Sequence, residues 1–569
     1  MYNKKQVDIF LKKINQFVSS QLEDCSPKKS SNKIIHDPIW GSVMYYSWEI
    51  QIIDTPLIQR LRGINQLGIS ELTYPAARHS RYEHSLGTAA IASRMIEKLK
   101  ERYSLDSDDI YDITDRDLYV VRLTALLHDV GHCAYSHLSE QVYKHMPDFQ
   151  NIIKYINDTC GQNVHPKPHE ILSYLVITSS AFCDFFHKHI DFPKKGGKIA
   201  CRTLLREVAN MVIGVKNFRQ QKDKLVCRSF MTDIINSDFD ADKLDYTQRD
   251  SYTSGIALAY GVERFLMKIV ILQEENDDYI NLRLAITSDA LITVEELIFN
   301  RKILYVQMYR HQKVLSTEAV IRDILYGIVA LGYVKHPSDF LYISDSDVVR
   351  YATSKDCPFP EYAPKRTLVS FEKTIKNRST PKRCLMVGKN NLIVKNGADT
   401  NKEKIVNTLS TLEKNTAFDK RCEILKEFGE TYAKETPDRL LIEKVTELCT
   451  KLSKSDYIEN IRIRQRFYDI LCEEYKRKGK KIDFDLFDLY IEFPSILKDK
   501  TSLPIKDSEF MGTASFASYV KDWSDAFSWD KWRGYFYCGG KVDRFLAKKA
   551  AITFFEELCP DLEILCTDG

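Results

Sequence analysis

The chain has 569 residues, and its 44% hydrophobic and 28% charged content is ordinary for a globular protein and excludes a chain that is disordered throughout. The 82 basic and 79 acidic residues leave a formal charge of +3, which excludes a histone-like protein that coats nucleic acid. The 14 cysteines form no C-x-x-C pair, so we expect reduced thiols in a cytoplasmic protein rather than a zinc module or a disulfide scaffold. The N-terminus has no signal-peptide pattern and no apolar run is long enough to cross a membrane, so we expect no membrane span.

Apolar residues at helical spacing predict a mainly α fold. An amphipathic helix opens the chain and a polar linker follows it, so residues 1–33 form a first segment. Helical patterns are dense over residues 34–335, which we predict to be the main domain. Near the end of this domain we predict a strand at 280–286 and one long helix at 290–313.

The C-terminal region, residues 336–569, has a mixed pattern that predicts an α/β arrangement. Its predicted elements are a hairpin at 384–395, helices between 402 and 478, strands at 484–493 and 532–538, and a final helix at 542–558. We expect this region to serve regulation or oligomerisation.

Histidines are concentrated in the main domain, and two of them stand out beside carboxylates. The candidate metal ligands are His84, His128, Asp129 and Asp242. Two imidazoles and two carboxylates suit a divalent metal, and we expect Mg, Mn, Fe, Co, Ni or Zn. Four ligands leave coordination positions free for water and a phosphate oxygen, as catalysis requires.

A series of motifs extends this pattern in one order along the chain. The motifs are Ile53–Arg62, Gln66–Gly68, Arg81–Gly87, His128–His132, Ser136–His137 and Asp242–Asp250. A His-Asp pair at the end of an apolar helix is the signature of the HD phosphohydrolase superfamily, and the whole series resembles its deoxynucleoside-triphosphate triphosphohydrolases. The resemblance covers about residues 37–314 and implies a helical HD phosphohydrolase core.

The resemblance implies cleavage of the bond between the 5′ oxygen and the α-phosphorus of a deoxynucleoside triphosphate. Deoxynucleoside and tripolyphosphate leave, which requires an activated water, charge neutralisation and a proton donor. By resemblance, the metal is held by His84, His128, Asp129 and Asp242. The other catalytic positions that match are the general acid His137, its orienting partner Glu140, and two further active-site histidines, His132 and His169. The alternative for these three histidines is a structural role in helix caps or in a surface loop.

Several positions match the family's phosphate-binding residues. They are Arg81, Lys243, Tyr246 and Arg301. Arg301, Tyr305 and Tyr309 are also spaced i, i+4, i+8 on one predicted helix face, where they would hold phosphate at one end and sugar or base beyond it. The alternative is an aromatic stripe packed in the core.

Three positions match the family's sugar-binding residues. Gln66 and Asp250 match the groups that bind the sugar 3′-hydroxyl. Leu67 matches the residue that crowds the 2′ position, where an apolar side chain gives a ribose hydroxyl no hydrogen bond. The resemblance therefore implies deoxyribonucleotides as substrates.

Many relatives form homo-oligomers with activator nucleotides between subunits, so the resemblance implies a dimer or tetramer and a nucleotide activator. The positions that match a guanine-binding activator site are Asp54, Gln59 and Arg62. The alternative for Asp54 is a helix N-cap, and His36 departs from the asparagine that the family carries nearby. Three lysine-rich clusters would suit nucleic acid, but such runs are usually solvated loops.

The sequence therefore predicts a metal-dependent dNTP triphosphohydrolase, used in dNTP pool control or in antiviral or antiphage defence. Two alternatives stay open. One is a nucleotidase, phosphodiesterase or nuclease on the same metal site, which product analysis would separate. The other is a nucleotide or nucleic-acid sensor with a vestigial site, which would keep its biological activity after substitution of Asp129.

Overall fold

The structure is a computed structural model of the chain. It describes residues 2–29, 31–104, 109–162, 164–221, 224–330, 332–353, 374, 377–395, 437–454, 457–497, 504–506, 514–515 and 517–565. The chain divides into two compact units: unit 1 comprises Met1–Val314, Val320–Ile375 and Asp499–Asp522, and unit 2 comprises Leu315–Ala319, Lys376–Lys498 and Trp523–Gly569. The predicted domain boundaries after residues 33 and 335 stay predictions.

Helices dominate the described residues, and the expected mainly α fold is confirmed. In chain order the helices are α1 (Lys4–Leu22), α2 (Ser47–Ile53), α3 (Pro56–Gln59), α4 (Arg81–Tyr103), α5 (Asp115–Leu127), α6 (His137–Tyr143), α7 (Pro147–Cys160), α8 (Pro168–Thr178), α9 (Ser180–His189), α10 (Lys198–Val212), α11 (Ser229–Ile235), α12 (Ala241–Ser254), α13 (Val262–Lys268), α14 (Leu291–Leu304), α15 (Gln312–Ala330), α16 (Asp345–Thr353), α17 (Pro437–Lys454), α18 (Tyr457–Arg477), α19 (Ala517–Lys531) and α20 (Arg544–Leu558). Helix α1 is amphipathic, as predicted, and buries Phe10, Ile14 and Phe17 along one face. Among the described residues, no helix combines the length and the apolar character needed to cross a membrane.

The single long helix predicted at 290–313 is wrong, because the segment is interrupted. A π-helical turn at Tyr305–Tyr309 separates α14 from α15. The Arg310 N–H donates to the Tyr305 carbonyl oxygen at 2.8 Å, which is the i→i+5 bond of such a turn. The Tyr305 and Tyr309 rings nevertheless meet edge to face, with their centroids 4.9 Å apart.

In the part of the chain that the structure describes, the strands form four sheets. In chain order they are β1 (Lys33–Asp37), β2 (Gly41–Tyr45), β3 (Phe218–Gln221), β4 (Lys224–Cys227), β5 (Ile269–Glu275), β6 (Ile280–Thr287), β7 (Lys382–Gly388), β8 (Leu392–Val394), β9 (Leu489–Glu492), β10 (Pro504–Lys506), β11 (Ala514–Ser515), β12 (Arg533–Cys538) and β13 (Leu562–Ile564). In unit 1, β1 and β2 form a hairpin, and β6 pairs in parallel with β4 and β10 and antiparallel with β5. The strand predicted at 280–286 is confirmed as β6, most of whose residues are buried.

In unit 2, β12 lies between β7 and β9 in an antiparallel sheet, and β8 pairs with β13. The hairpin predicted at 384–395 is therefore wrong, since its two strands pair with strands far along the chain. The Asn391 side chain accepts from the Gly388 N–H at 2.7 Å and donates to the Met386 carbonyl oxygen at 2.8 Å, which shapes the turn that separates the strands. One part of the helical stretch predicted at 402–478 lies outside the described residues, and the rest forms α17 and α18.

Candidate active site

Helix α5 ends at the His-Asp pair. The helix buries most of its side chains and stops at His128, after which Asp129 begins a turn. This turn packs directly against α8, because a Cβ atom on Gly131 would lie 2.3 Å from the Ser173 nitrogen and 2.4 Å from the His169 carbonyl oxygen. Only glycine fits there, so backbone packing determines where the pair points.

The predicted metal ligands converge from three elements. His84 lies on α4, His128 and Asp129 lie at the end of α5, and Asp242 lies on α12. One ligand atom from each of His84, His128 and Asp242 lies within 4.8 Å of the other two. The Asp129 carboxylate oxygens lie 3.3 Å from His128 Nε2 and 3.7 Å from His84 Nε2. We call these four residues the metal cluster.

Both imidazoles of the metal cluster are held through their Nδ1 atoms. His84 Nδ1 lies 2.8 Å from Asp245 Oδ2, and His128 Nδ1 lies 2.7 Å from the Ala125 carbonyl oxygen. The Nε2 atoms therefore face the cluster, where they are buried without a well-formed hydrogen bond to any described residue. Buried nitrogen atoms beside carboxylates fit a divalent metal, so these residues suit the expected cofactor.

The carboxylates of the metal cluster are held in their charged form. Arg81 Nη1 donates to Asp129 Oδ2 at 2.8 Å, and both side chains are buried. Burial opposes ionisation, but His128 and Arg81 hold the pKa of Asp129 well below its usual range. Burial also opposes ionisation of Asp242, but the neighbouring His84 outweighs this effect and holds the pKa of the carboxyl well below its usual range. A carboxyl group must be ionised to bind a metal. The structure places Arg81, a predicted phosphate ligand, against one of these carboxylates.

A second group of side chains lies beside the metal cluster. We call it the acid cluster, and its members are His132, His137, Glu140 and His169. Glu140 Oε1 lies 2.7 Å from His169 Nδ1 and 2.9 Å from His137 Nδ1. The rings of His132 and His169 stack with centroids 3.9 Å apart. Burial opposes ionisation of Glu140, but His169 and His137 hold its pKa well below the usual range, so the carboxylate is charged.

The two clusters share an edge, where His132 Nε2 lies 3.3 Å from Asp129 Oδ1. Within the acid cluster, His132 and His169 are buried, whereas the His137 side chain is 60% exposed. Burial disfavours a charge on His169, but Glu140 outweighs it and raises the pKa of that imidazole. His137 is therefore the member of the cluster that can exchange a proton with a bound substrate.

A cleft beside the metal cluster contains two lysines. Its lining includes His128, His169, Asp242, Lys167 and Lys243. Lys243 Nζ lies 2.7 Å from Asp240 Oδ2, and the half-exposed Lys167 lies 3.4 Å from a carboxylate oxygen of Glu170. The sequence had indicated Lys243 but not Lys167. The available signal was the position of Lys167 two residues before a candidate histidine.

The remaining predicted phosphate ligands come from α12 and α14. Arg301 Nη1 donates to the Asp238 carbonyl oxygen at 3.3 Å. Desolvation and then the neighbouring Tyr305 raise the pKa of Tyr246 well above its usual value, while Arg301 acts in the opposite direction. The structure thus brings Tyr246, Tyr305 and Arg301 together. Asp242 of the metal cluster also raises the pKa of Tyr246.

The predicted sugar-binding residues also lie close together. Leu67 and Tyr309 pack against one small apolar cluster. The Tyr309 hydroxyl donates to Asp250 Oδ2, and His79 Nε2 lies 2.9 Å from Asp250 Oδ1. The Gln66 N–H donates to the His79 carbonyl oxygen at 3.0 Å, and Gln66 Oε1 is buried without a hydrogen bond from a described residue. His79 had not been predicted, although it belongs to the histidine-rich stretch.

Residues 81–250 match the family model of the HD domain. This segment of the chain thus resembles an HD domain. It is 26% identical to a deoxynucleoside triphosphate triphosphohydrolase SAMHD1 homolog of Dictyostelium discoideum over 63% of this chain and 60% of that protein. It is 25% identical to the human deoxynucleoside triphosphate triphosphohydrolase SAMHD1 over 51% of this chain and 44% of that protein. The chain thus spans less than two thirds of the length of these relatives.

The fold is also found in a solved structure. A phosphohydrolase from Bacteroides thetaiotaomicron is 18% identical, with a TM-score of 0.52 over 90% of this chain and 100% of that chain. This likeness concerns the fold alone. The predicted resemblance to the dNTP triphosphohydrolases of the HD superfamily is confirmed, and it supports a hydrolase.

The segment that matches the HD domain contains a supporting residue that the sequence had not indicated. Asp245 forms a hydrogen bond with His84 Nδ1. Arg249 holds the same carboxylate, because its Nη2 donates to Asp245 Oδ1 at 2.8 Å. This approach requires Gly87, since a Cβ atom there would lie 1.9 Å from Asp245 Oδ1. The signal was the i, i+3 spacing of Asp242 and Asp245, which puts both carboxylates on one face of α12.

The predicted activator residues precede the segment that matches the HD domain and lie outside both clusters. Asp54 is exposed and lies 3.5 Å from Lys33 Nζ. Arg62 Nε donates to Gln59 Oε1 at 2.8 Å, and its guanidinium lies 3.6 Å from the centre of the Tyr82 ring. The structure thus brings Gln59 and Arg62 together, while the Asp54 carboxylate faces a lysine.

Proposed function

We propose that this chain is a metal-dependent dNTP triphosphohydrolase that releases deoxynucleoside and tripolyphosphate. The main support is the shared edge of the two clusters, where His132 Nε2 lies 3.3 Å from Asp129 Oδ1. Hydrolysis at phosphorus needs a cationic centre beside the phosphate and a proton donor at the leaving oxygen, both within reach of one substrate. The names of the Dictyostelium and human relatives state this reaction, which supports the substrate class.

The proposed division of labour follows the two clusters. The metal cluster holds a divalent metal, which supplies Lewis acidity and an activated water when bound. As water attacks the α-phosphorus and the bond to the 5′ oxygen breaks, His137 donates a proton to that oxygen. Glu140, 2.9 Å from His137 Nδ1, orients the ring so that Nε2 is left for the substrate. Positive charge for the triphosphate comes from Lys167, Lys243 and Arg301.

The proposed sugar subsite explains a preference for deoxyribonucleotides. The buried Oε1 atom of Gln66 and the Asp250 carboxylate offer acceptors for the 3′-hydroxyl. Leu67 packs against the same small apolar cluster as Tyr309 and presents an apolar surface, where a 2′-hydroxyl would lose its hydrogen bonds to water without replacement. Tyr309 holds the Asp250 carboxylate in place through its own hydroxyl.

The proposal includes regulation. Asp54 and Arg62 are exposed and offer the acceptor and donor groups that a purine base needs, which supports a nucleotide activator bound between subunits of a homo-oligomer, either a dimer or a tetramer. In this proposal the enzyme acts in the cytoplasm, where it controls the dNTP pool or depletes it against a virus or phage.

The proposal is tested by incubating the purified protein with each dNTP and NTP, singly and mixed, in Mg, Mn or Co, and resolving the products by chromatography. We expect deoxynucleoside and tripolyphosphate from dNTPs alone. Asp129→Ala should abolish both products, whereas Asp115→Ala, an exposed position at the other end of α5, should leave them unchanged.

Other product patterns would overturn the proposal in distinguishable ways. Release of phosphate or pyrophosphate would indicate a different nucleotidase. Cleavage of a phosphodiester or a nucleic acid alone would indicate a phosphodiesterase or nuclease. No product under any condition, together with a biological activity that survives Asp129→Ala, would indicate a sensor.

A further inference from the structure

The turn that leads into α6 has an unusual backbone. Tyr135 and Ser136, which directly precede His137, have φ angles of 55° and 51°. Residues other than glycine rarely adopt this left-handed backbone conformation. A turn with two such residues in succession must therefore be held by its surroundings.

One side chain holds this turn from a distant part of the sequence. Asp345, the first residue of α16, is 9% exposed, and its Oδ1 accepts from the Tyr135 N–H at 2.6 Å. Its Oδ2 accepts from the Asn65 N–H at 2.9 Å. Asn65 directly precedes Gln66, so one carboxylate joins the turn before the proposed acid to the loop of the proposed sugar contacts.

Further hydrogen bonds close this connection into a ring. Ser136 Oγ donates to the Asn65 carbonyl oxygen at 2.8 Å and accepts from Arg81 Nε at 3.0 Å. Arg81 in turn donates to Asp129 of the metal cluster. The ring around Asp345 therefore contacts the metal cluster as well as the acid cluster.

The Asp345 carboxylate is not what caps its own helix. Ser344 is the residue before α16, and its hydroxyl accepts from the Asp347 N–H at 3.3 Å while Asp347 Oδ2 accepts from the Ser344 N–H at 3.0 Å. This is a capping box. Both oxygens of Asp345 are thus directed to the two active-site loops.

We propose that Asp345 is a positioning residue for the reaction, which fixes His137 relative to Gln66 and so aligns the proton donor with the bound sugar. This inference rests on the proposed function. A carboxylate suits the task because each of its oxygens accepts one peptide N–H. An asparagine in its place offers one acceptor and turns an amide N–H toward the other peptide donor.

The matched variants are Asp345→Asn and Asp347→Asn, which lie on the same helix. In Asp345→Asn, kcat for dNTP hydrolysis should fall about tenfold to a hundredfold, because a small misplacement of the acid has a cost of this order. KM should change less, and the metal content should stay at the wild-type level. Asp347→Asn weakens the helix cap without touching the turn, so its kcat should stay close to the wild-type value.

The pH dependence separates positioning from a general loss of structure. Burial raises the pKa of Asp345 to about 7; the peptide N–H groups of Asn65 and Tyr135 act against this rise, Glu71 adds to it, and Arg81 opposes it. Above this pH the wild type has the carboxylate, and below it the protonated acid, which resembles asparagine. The ratio of wild-type to variant kcat should therefore rise from near one in acid to its full value in alkali.

Histidines of the acid cluster do not disturb this comparison, because both proteins contain them and their titration cancels in the ratio. A ratio that does not change with pH would overturn the proposal, as would an equal loss of kcat in Asp347→Asn. If Asp345→Asn does not fold, Ser136→Ala removes another bond of the ring and should lower kcat as well. An unchanged kcat in that variant would also overturn the proposal.

Failure of the proposed function would be recognised separately, by a wild type that hydrolyses no dNTP. The positioning role would then be tested by amide hydrogen exchange, which needs no substrate. At least one of the Tyr135 and Asn65 amides should exchange about tenfold faster in Asp345→Asn than in the wild type or Asp347→Asn, because asparagine replaces one of the two acceptor oxygens by an amide N–H. Unchanged exchange would overturn the positioning role whatever the reaction.

Discussion

Replacing Asp245 by asparagine should weaken metal binding through a residue that is not itself a ligand. Asp245 Oδ2 lies 2.8 Å from His84 Nδ1 and so selects the tautomer in which Nε2 faces the metal cluster. Loss of such a partner typically lowers metal affinity about tenfold to a hundredfold. This range corresponds to about 1.4–2.7 kcal/mol of binding free energy.

The same substitution also affects stability. Arg249 donates to the two oxygens of Asp245 at 2.8 and 2.9 Å, and to Asp37 Oδ2 at 2.8 Å. Removing one partner of a buried ion pair costs about 3–5 kcal/mol, and the remaining bond to Asp37 favours the lower end of this range. Asp37→Asn is the matched control, because it breaks the other bond of Arg249 and leaves His84 untouched.

Two measurements separate these effects. Calorimetric titration of the chelator-treated proteins with Mn²⁺ gives the metal affinity, and urea unfolding of the metal-free proteins gives the free energy of unfolding. Asp37→Asn should be less stable than the wild type but bind metal equally well, whereas Asp245→Asn should be weaker in both respects. Equal metal affinity in all three proteins would refute the argument from the tautomer of His84.

Two further substitutions test the division of labour in the proposed active site. Glu140→Gln removes the charge between His137 and His169, so kcat for dNTP hydrolysis should fall about a hundredfold while the metal content, measured by mass spectrometry, stays the same. Loss of metal in this variant would contradict the proposal that the metal cluster and the acid cluster have separate roles. Tyr309→Phe deletes the hydroxyl that holds Asp250, and since a hydrogen bond to a charged group contributes about 1.5–3 kcal/mol, KM for dNTPs should rise about tenfold or more. An unchanged KM in steady-state kinetics would contradict the sugar subsite.

The metal cluster could be predicted because its residues stand at patterned positions. His128 and Asp129 follow a strongly apolar helix, and His84 and Asp242 belong to motifs in a characteristic order. The role of Asp245 could not be seen in the same way. It depends on the close approach of α12 to α4, which only the absence of a side chain at Gly87 permits.

The errors have a related physical cause. The segment 384–395 has the local composition of a hairpin, but β7 pairs with β12 and β8 with β13, at distances along the chain that no local pattern reports. The π-helical turn at Tyr305–Tyr309 likewise has no signature in apolar spacing. It is accompanied by the bond from Tyr309 to Asp250, a contact between α12 and the turn that exists only in the folded protein.

The proposed active-site residues come from different helices. A shift between α4 and α12 should therefore have a different main effect from a shift of α16. The segment 128–140 supplies two members of the metal cluster and three of the acid cluster. His84 and Asp242 come from α4 and α12, which Asp245 joins, so a shift between these helices would alter metal affinity first. A shift of α16 would instead act through Asp345 on the turn before the acid cluster. We therefore expect the proposed metal binding and the proposed proton donation to respond to different extents when a change reaches the site through one helix or the other.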